Sequence, residues 1–315
     1  MPVIPVSVIL PVFNAEAYVG EALASIVAQT YRNFEAIVID DGSHDHSLRI
    51  IRQHVGNDPR FVIVSRPNRG LVETCNEGME LAKGEIIFRM DADDAAHPDR
   101  FARQLSFLEA HPDCVAVGTR VMLADDSMMP ILEAHKHLTH AVIDAENMEG
   151  RSAICHPSVA IRRDALLAIG GYRKEFEWAE DLDLFLRLAE VGQLANLPDV
   201  LLTYRQHLSS VGYSKRALQR TRATLAVRAA ARRRGLSSAA VPTEGAAQSE
   251  ASASEGDAVL ESDYRCAGDV YRKWAWLALI GGHPKTARKH ALLALRTDPW
   301  CRENPRLIAC ALRGR

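Results

Sequence analysis

The sequence predicts an α/β fold built on a doubly wound, mostly parallel sheet and followed by an α-helical C-terminal extension. Three observations carry this. Patterns of buried strand and amphipathic helix alternate over the first hundred residues, as in consecutive βαβ units. Strand patterns end in polar loops at residues 11–14, 40–43 and 91–94, where ligands of such sheets bind. Past residue 215 the strand patterns stop and helical ones return.

Val6, Val8, Ile9 and Leu10 make a strand over 6–10 that Pro11 breaks. Asn14 is placed to cap a helix reaching about residue 30, with Val19, Leu23, Ile26 and Val27 at helical spacing. A second buried strand, 34–39, runs into Asp40-Asp41-Gly42-Ser43. A helix over 47–54, a strand over 61–64, a loop at 67–70 and a helix over 71–82 follow. The run Ile86-Ile87-Phe88-Arg89-Met90 is the fourth strand and leads into Asp91-Ala92-Asp93-Asp94.

A helix is predicted over 98–110 and a strand over 115–121. Residues 125–149 read as irregular and polar. His135, His137, His140 and His156 lack the spacing of a ligand cluster and are expected to face solvent or acceptor. A short strand over 159–161, a turn at Gly170-Gly171-Tyr172, a helix opened by Glu180-Asp181 and a strand over 201–205 complete this region, with His207 just beyond.

Residues 215–234 hold eight basic side chains and no acid. Leu218, Leu225 and Ala229 share one side of that helix, a thin apolar face. Two readings stay open for it: a solvated or domain-packing helix, and peripheral contact with an anionic membrane. Residues 237–263 hold six acids and no base among Ala, Ser and Gly, the composition of a flexible linker. Helices resume from 264, with breaks at Gly281-Gly282 and before Pro305. The expected organisation is a catalytic domain over 1–212, a basic helix over 213–236, a linker over 237–263 and a helical region over 264–315.

A chain of 315 residues has room for one large domain plus an appendage. A net charge of −2 gives no reason to expect nucleic acid as a partner. Six cysteines without a C-x-x-C pair argue against a zinc site or a disulfide framework and fit a reducing cytosol. No apolar run reaches the ~18 residues of a membrane span, and no basic segment of a signal peptide precedes the first strand. The first strand is not followed by G-x-G-x-x-G, and there is no P-loop lysine motif, which disfavours dinucleotide dehydrogenases and P-loop NTPases.

The acidic strand end carries the chemistry. Asp91 and Asp93 point to one side of extended chain. Two carboxylates about 4 Å apart repel by roughly 4 kcal/mol at an effective dielectric near 20. A hard divalent cation, Mg²⁺ or Mn²⁺, is the natural counter-charge and is often shared with substrate phosphates. The plainer alternative is an acidic turn with solvated charges.

Taken in order, Pro11-Val12-Phe13-Asn14, Asp40-Asp41-Gly42-Ser43, Asn68-Arg69-Gly70, Arg89-Met90-Asp91-Ala92-Asp93-Asp94, His97-Pro98-Asp99-Arg100, Gly170-Gly171-Tyr172, Glu180-Asp181-Leu182-Asp183-Leu184 and Tyr204-Arg205-Gln206-His207 resemble the motifs of the family 2 glycosyltransferases, which have the GT-A fold. The likeness covers about the first 212 residues. It implies inverting sugar transfer from a nucleotide-sugar donor, first of all a UDP-sugar, to a glycan or lipid-linked acceptor in surface polysaccharide or lipopolysaccharide synthesis. It implies that Pro11, Val12 and Asn14 border the nucleobase and that Asp41 accepts from it, with Asp40 beside it. Arg69 would lie near the base or diphosphate, Asp91 would face the ribose or the metal, and Asp93 would bind the metal with His207 close by. Asp181 would be the catalytic base and Glu180 its neighbour.

Each motif alone also has an ordinary structural meaning, such as a turn signal at Asp40-Asp41-Gly42 or helix-start acids at Glu180-Asp181. A non-catalytic sugar-nucleotide-binding or scaffold protein on the same fold is the competing reading. A sugar nucleotidyltransferase is a weaker one, because its glycine-rich basic N-terminal loop is absent. The expected location is the cytoplasm, with the inner face of the membrane open.

Overall fold

A computed structural model describes residues 5–134, 137–210, 215–236 and 266–314. Strand β1 (Val6–Val12) is buried along its whole length. The β-branched run explains this: a strand covered by helices on both faces reads as a continuous apolar stretch. Helix α1 (Val19–Val27), β2 (Phe34–Asp40), α2 (Ser47–Val55), β3 (Phe61–Ser65), α3 (Leu71–Leu81) and β4 (Ile86–Arg89) follow. These four strands are parallel in the order β3-β2-β1-β4, with Val6 opposite both Phe34 and Ile86. The register brings the carboxyl ends of β1, β2 and β4, and so all three polar loops, to one rim of the sheet.

The second half of the sheet is antiparallel. It uses β5 (Ala95–Ala96), β6 (Cys114–Ala124), β8 (Ala160–Arg162) and β9 (Gln193–Arg205), while β7 (Pro130–Ala134) pairs with β6. Among the described residues these nine strands form one sheet, in which β8 pairs antiparallel with β4 and β6, and β9 with β5. Helices α4 (Arg100–Ala110), α5 (His140–Met148), α6 (Arg163–Ala168) and α7 (Glu180–Leu188) complete this part. The α/β class is the one expected, and the parallel pairing expected for most of the sheet is that of β1 to β4.

Both faces of the sheet are covered. On one, Ile9, Ile37 and Ile39 pack with Val72, Cys75 and Met79 of α3 and with Leu184, Phe185 and Leu188 of α7. A Cβ at Gly78 of α3 would lie 2.6 Å from Ile9 Cγ2, so glycine lets helix and strand close up. On the other, Phe101 of α4 sits with its ring 4.4 Å from that of Phe88 and 5.6 Å from that of Phe34.

Several expectations are corrected. Asn14 does not cap α1: it is left-handed (φ 48°), and the helix begins only after a turn in which Ala15 O accepts from Tyr18 and Val19. Residues 125–149 are not irregular, since they contain β7 and α5. Their alternation and spacing are weak, and only Ile131 of β7 and Ile143 and Asn147 of α5 are buried. His156 is buried, with Nε2 2.8 Å from the Tyr172 hydroxyl. His135 lies outside the described residues.

Helix α8 (Arg216–Arg233) forms where the basic run predicts it, but Leu218 and Leu225 are exposed. Ala226, Val227, Ala230 and Ala231 are the buried face, and Ala226, Val227 and Ala230 pack on Phe176, Leu182 and Leu186. Arg233 pairs with Glu190 at 2.8 Å, and Arg234 with Asp144 at 2.7 Å. Two of its cations therefore serve packing. The linker 237–263 lies outside the described residues.

The chain divides into two compact units: 1–121 with 135–203 and 217–247, and 122–134 with 204–216 and 248–315. The second holds α9 (Ala267–Ile280), α10 (Pro284–Thr297) and α11 (Asn304–Arg313), all where helices were expected. Within that unit the turn after β6 is tied to α10 by Asp125. Its fully buried carboxylate meets Lys289 Nζ at 2.7 Å and His290 Nε2 at 2.9 Å. Burial pushes the Asp125 pKa up, but His290, Lys289 and the Met129 N–H outweigh it and hold it below the ordinary carboxylate range.

Removing one partner of such a group leaves the others unpaired. Asp125→Ala is expected to cost about 3 kcal/mol of stability near neutral pH. A carboxylate with a depressed pKa contributes stability above its unfolded value and loses it as pH falls. The gap to wild type should therefore begin to narrow below about pH 4 and shrink further as pH falls. Chemical denaturation across pH checks both; an unchanged midpoint at neutral pH contradicts the role. Among the described residues no disulfide joins the cysteines, and no helix is long and apolar enough to cross a membrane.

Candidate active site

The rim of the parallel strands is knitted by side chains that accept backbone N–H groups. Pro11 and Val12 close β1. The left-handed Asn14 then donates its N–H to Ser43 Oγ (3.0 Å) and accepts from His44 N–H (2.9 Å), which joins the β1 and β2 loops. Asp40 at the end of β2 accepts from Ser43 N–H (3.2 Å) and Ser65 Oγ (2.9 Å). Asp41 accepts from the N–H groups of Arg69 (2.8 Å) and Gly70 (3.0 Å) and from the Arg66 guanidinium. At Gly42 (φ 74°) a Cβ would lie 2.7 Å from Asn68 N. Asp41 thus closes the loop at 66–70 onto the strand end, while the Arg69 side chain stays exposed.

Arg66 is a member of this site that sequence reasoning missed. It also donates to Glu77 (2.6 Å) and Thr74 (2.9 Å). The only signal for it was the need of a buried Asp41 for a counter-charge.

The acidic loop after β4 is built on two buried arginines. Arg89 donates to Asp91 Oδ2 at 2.6 Å. Arg100, completely inaccessible, donates to Arg89 O (2.9 Å) and to Gln104 Oε1 (3.1 Å), which fixes the strand end from behind. Burial pulls the Arg100 pKa down to about 9, with Asp94 opposing. Part of the counter-charge that the carboxylates need therefore comes from the protein itself.

Among the described residues, ligand oxygens of Asp91, Asp93 and Asp94 lie within 4.8 Å of one another. Burial raises the Asp91 pKa, Arg89 opposes, and Asp93 and Asp181 push it further up. An all-oxygen set of this size fits a hard divalent cation and not a soft metal.

Glu180 and Asp181 open α7, as expected. Asp181 Oδ1 accepts from Leu182 N–H (2.8 Å) and Oδ2 from Ser152 Oγ (3.1 Å), a second partner that the sequence did not indicate. The helix start is pinned by the fully buried Asp183, which pairs with Arg173 and with Arg187 (2.7 Å). Just before it Trp178 holds φ at 79°, a costly conformation for a bulky residue of the kind that clusters at functional sites. Because Asp181 is felt at Asp91, the helix start and the acidic loop belong to one electrostatic site.

His207 belongs to the second compact unit, where its Nδ1 lies 2.8 Å from Ser209 Oγ. The carboxylate cluster is drawn entirely from the first.

Glu180 is 9% exposed and its Oε2 has no hydrogen-bond partner. Burial, helped by Asp181, pushes its pKa up to about 7. The folded protein then holds this proton more tightly than the unfolded chain, so stability falls as pH rises from about 4.5 to about 7. Glu180→Gln should remove that decline and gain at most about 3 kcal/mol over wild type above pH 7. Urea denaturation on either side of neutrality checks this; a wild type equally stable on both sides contradicts it.

Residues 7–169 match the family model described as Glycosyl transferase family 2. The chain is 32% identical over 206 residues to the protein EpsE of Bacillus subtilis, covering 64% of this chain and 73% of EpsE. It is 30% identical over 203 residues to the amylovoran biosynthesis glycosyltransferase AmsE of Erwinia amylovora, covering 63% of this chain and 75% of AmsE. Among solved structures it is similar to S. aureus TarS 1–349 in complex with UDP-GlcNAc, with a TM-score of 0.56, 16% identity and coverage of 98% and 88%. It is also similar to the mannosyltransferase PcManGT from Pyrobaculum calidifontis in complex with GDP-Man and Mn²⁺, with a TM-score of 0.56, 19% identity and coverage of 98% and 86%. At these structural identities the likeness is one of fold.

Proposed function

Since the chain belongs to glycosyl transferase family 2, we propose that it moves a sugar, with inversion, from a nucleotide-sugar donor to a glycan or lipid-linked acceptor of surface polysaccharide or lipopolysaccharide. The observation that carries this is the Asp91–Asp93–Asp94 cluster within electrostatic reach of Asp181. UDP-sugar is the first donor to test, because TarS is seen with UDP-GlcNAc; GDP-sugar is the second, after PcManGT.

In this reading Pro11, Val12 and Asn14 border the nucleobase, and Arg69 reaches toward the base or diphosphate. The loop held by Asp40 and Asp41 forms the wall between them. Asp41 already accepts two backbone N–H groups and Arg66, so a base N–H would share an oxygen with them. Asp93 and Asp91 would hold a divalent cation, Mn²⁺ or Mg²⁺. Bound there, the cation supplies positive charge where the leaving nucleoside diphosphate gains negative charge. Asp181 takes the proton of the acceptor hydroxyl as that oxygen attacks the anomeric carbon. It stands in the first turn of α7, and Ser152 fixes one of its oxygens. Glu180, its pKa raised to about 7, carries less competing charge near neutral pH than an ordinary carboxylate.

The place we propose is the cytoplasm, with peripheral contact to an anionic membrane where lipid-linked acceptors lie. AmsE, named for amylovoran biosynthesis, supports the polysaccharide setting. A thermal-shift screen of nucleoside diphosphates and their sugars with and without Mn²⁺ tests the reading. Stabilisation that requires both nucleotide and metal, followed by release of nucleoside diphosphate, is the expected result. Binding with no turnover of any sugar nucleotide favours a non-catalytic sugar-nucleotide-binding or scaffold protein.

A further inference from the structure

We propose that the membrane-facing surface is the outer side of α10 and α11, and that its partner is an anionic lipid bilayer. This deepens the membrane-contact part of the proposed function and moves it away from α8. The two helices carry six basic residues and no acid. On α10, Thr286, Ala287, His290, Ala291 and Ala294 are buried. Lys285, Arg288, Leu292 and Arg296, three to four residues apart, form an exposed stripe on the other side.

Arg288 donates to Ala311 O (3.0 Å) and Leu312 O (3.1 Å), which brings Leu312 beside this stripe. Leu292 is 52% exposed, Leu312 66%, and Trp300 in the turn between the helices 92%. An exposed tryptophan of this degree is costly in water and suits the headgroup layer.

Charge decides the partner. The two acids of the same turn are drawn inward, Asp298 to Arg272 (3.0 Å) and Glu303 to Trp276 Nε1 (2.6 Å). Among the described residues Lys285, Arg296, Arg302 and Arg313 make no ion pair. Basic side chains around an exposed aromatic and two leucines match an anionic leaflet, where each cation adds about fivefold to partitioning. On α8, by contrast, the apolar face is buried, and Arg233 and Arg234 are held by Glu190 and Asp144.

Co-sedimentation of the full chain with vesicles of phosphatidylcholine alone, and of phosphatidylcholine with phosphatidylglycerol, tests this without any sugar substrate. Binding is expected only to the anionic vesicles and should be lost at high salt. The Arg296→Ser/Trp300→Ala/Arg313→Ser variant should bind about twentyfold more weakly or worse, while Arg228→Ser/Arg232→Ser on α8 should lose far less. All the substituted residues are exposed, and unchanged helical circular dichroism certifies the fold of each variant. Absence of wild-type binding to anionic vesicles overturns the proposal, as does loss through the α8 variant alone. Self-association in solution that disappears with Trp300→Ala, without vesicle binding, would assign the surface to a second copy and overturn it too. Nucleotide binding is measured separately, so a failed membrane test leaves the transferase reading standing.

Discussion

Asp93→Ala is expected to abolish metal-dependent UDP binding and to lower turnover by about 10³-fold or more, the scale of removing the main charge stabiliser of a leaving group. The fold should survive. Asp93 is one of three carboxylates within 4.8 Å, and Arg89 and Arg100 hold the loop through other atoms. Removing one of several repelling charges leaves the metal-free melting temperature unchanged or higher. Calorimetry of UDP with and without Mn²⁺ reads the effect. A variant that binds UDP with wild-type metal dependence places the cation elsewhere.

Asp181→Asn is expected to cut turnover by ~10²–10⁴-fold, the usual worth of a general base, with donor affinity hardly changed. Asparagine keeps an oxygen for the Leu182 N–H and a polar group facing Ser152, so a large fall reports lost basicity and not lost packing. Near-normal turnover would move the role to Glu180 or to another residue.

Much of this architecture is written locally. The continuous apolar runs of β1, β2 and β4, each closed by a polar loop, are strong signals because both faces of a parallel sheet are buried. Elements that depend on the rest of the fold were not legible. β7 and α5 bury only a few residues each, so their periodicity is faint. Asn14 looks like a helix cap in sequence, yet its side chain is used by His44 of the neighbouring loop, a contact 30 residues away.

The site divides in the same way. Its acids are visible as short motifs, because the chemistry gathers them at strand and helix ends. Their supports are not, since Arg66, Ser152 and the Arg100 bracket reach the site only through tertiary contacts. In sequence the acidic loop looks in need of a cation for its whole counter-charge, whereas Arg89 and Arg100 supply part of it.

The most direct test of an inverting, single-base reaction is the first-formed anomer of sugar released to water from an α-linked nucleotide sugar, followed by proton NMR before mutarotation. Asp181 acting from the face opposite the leaving diphosphate gives the β anomer first. An α anomer formed first would contradict the account.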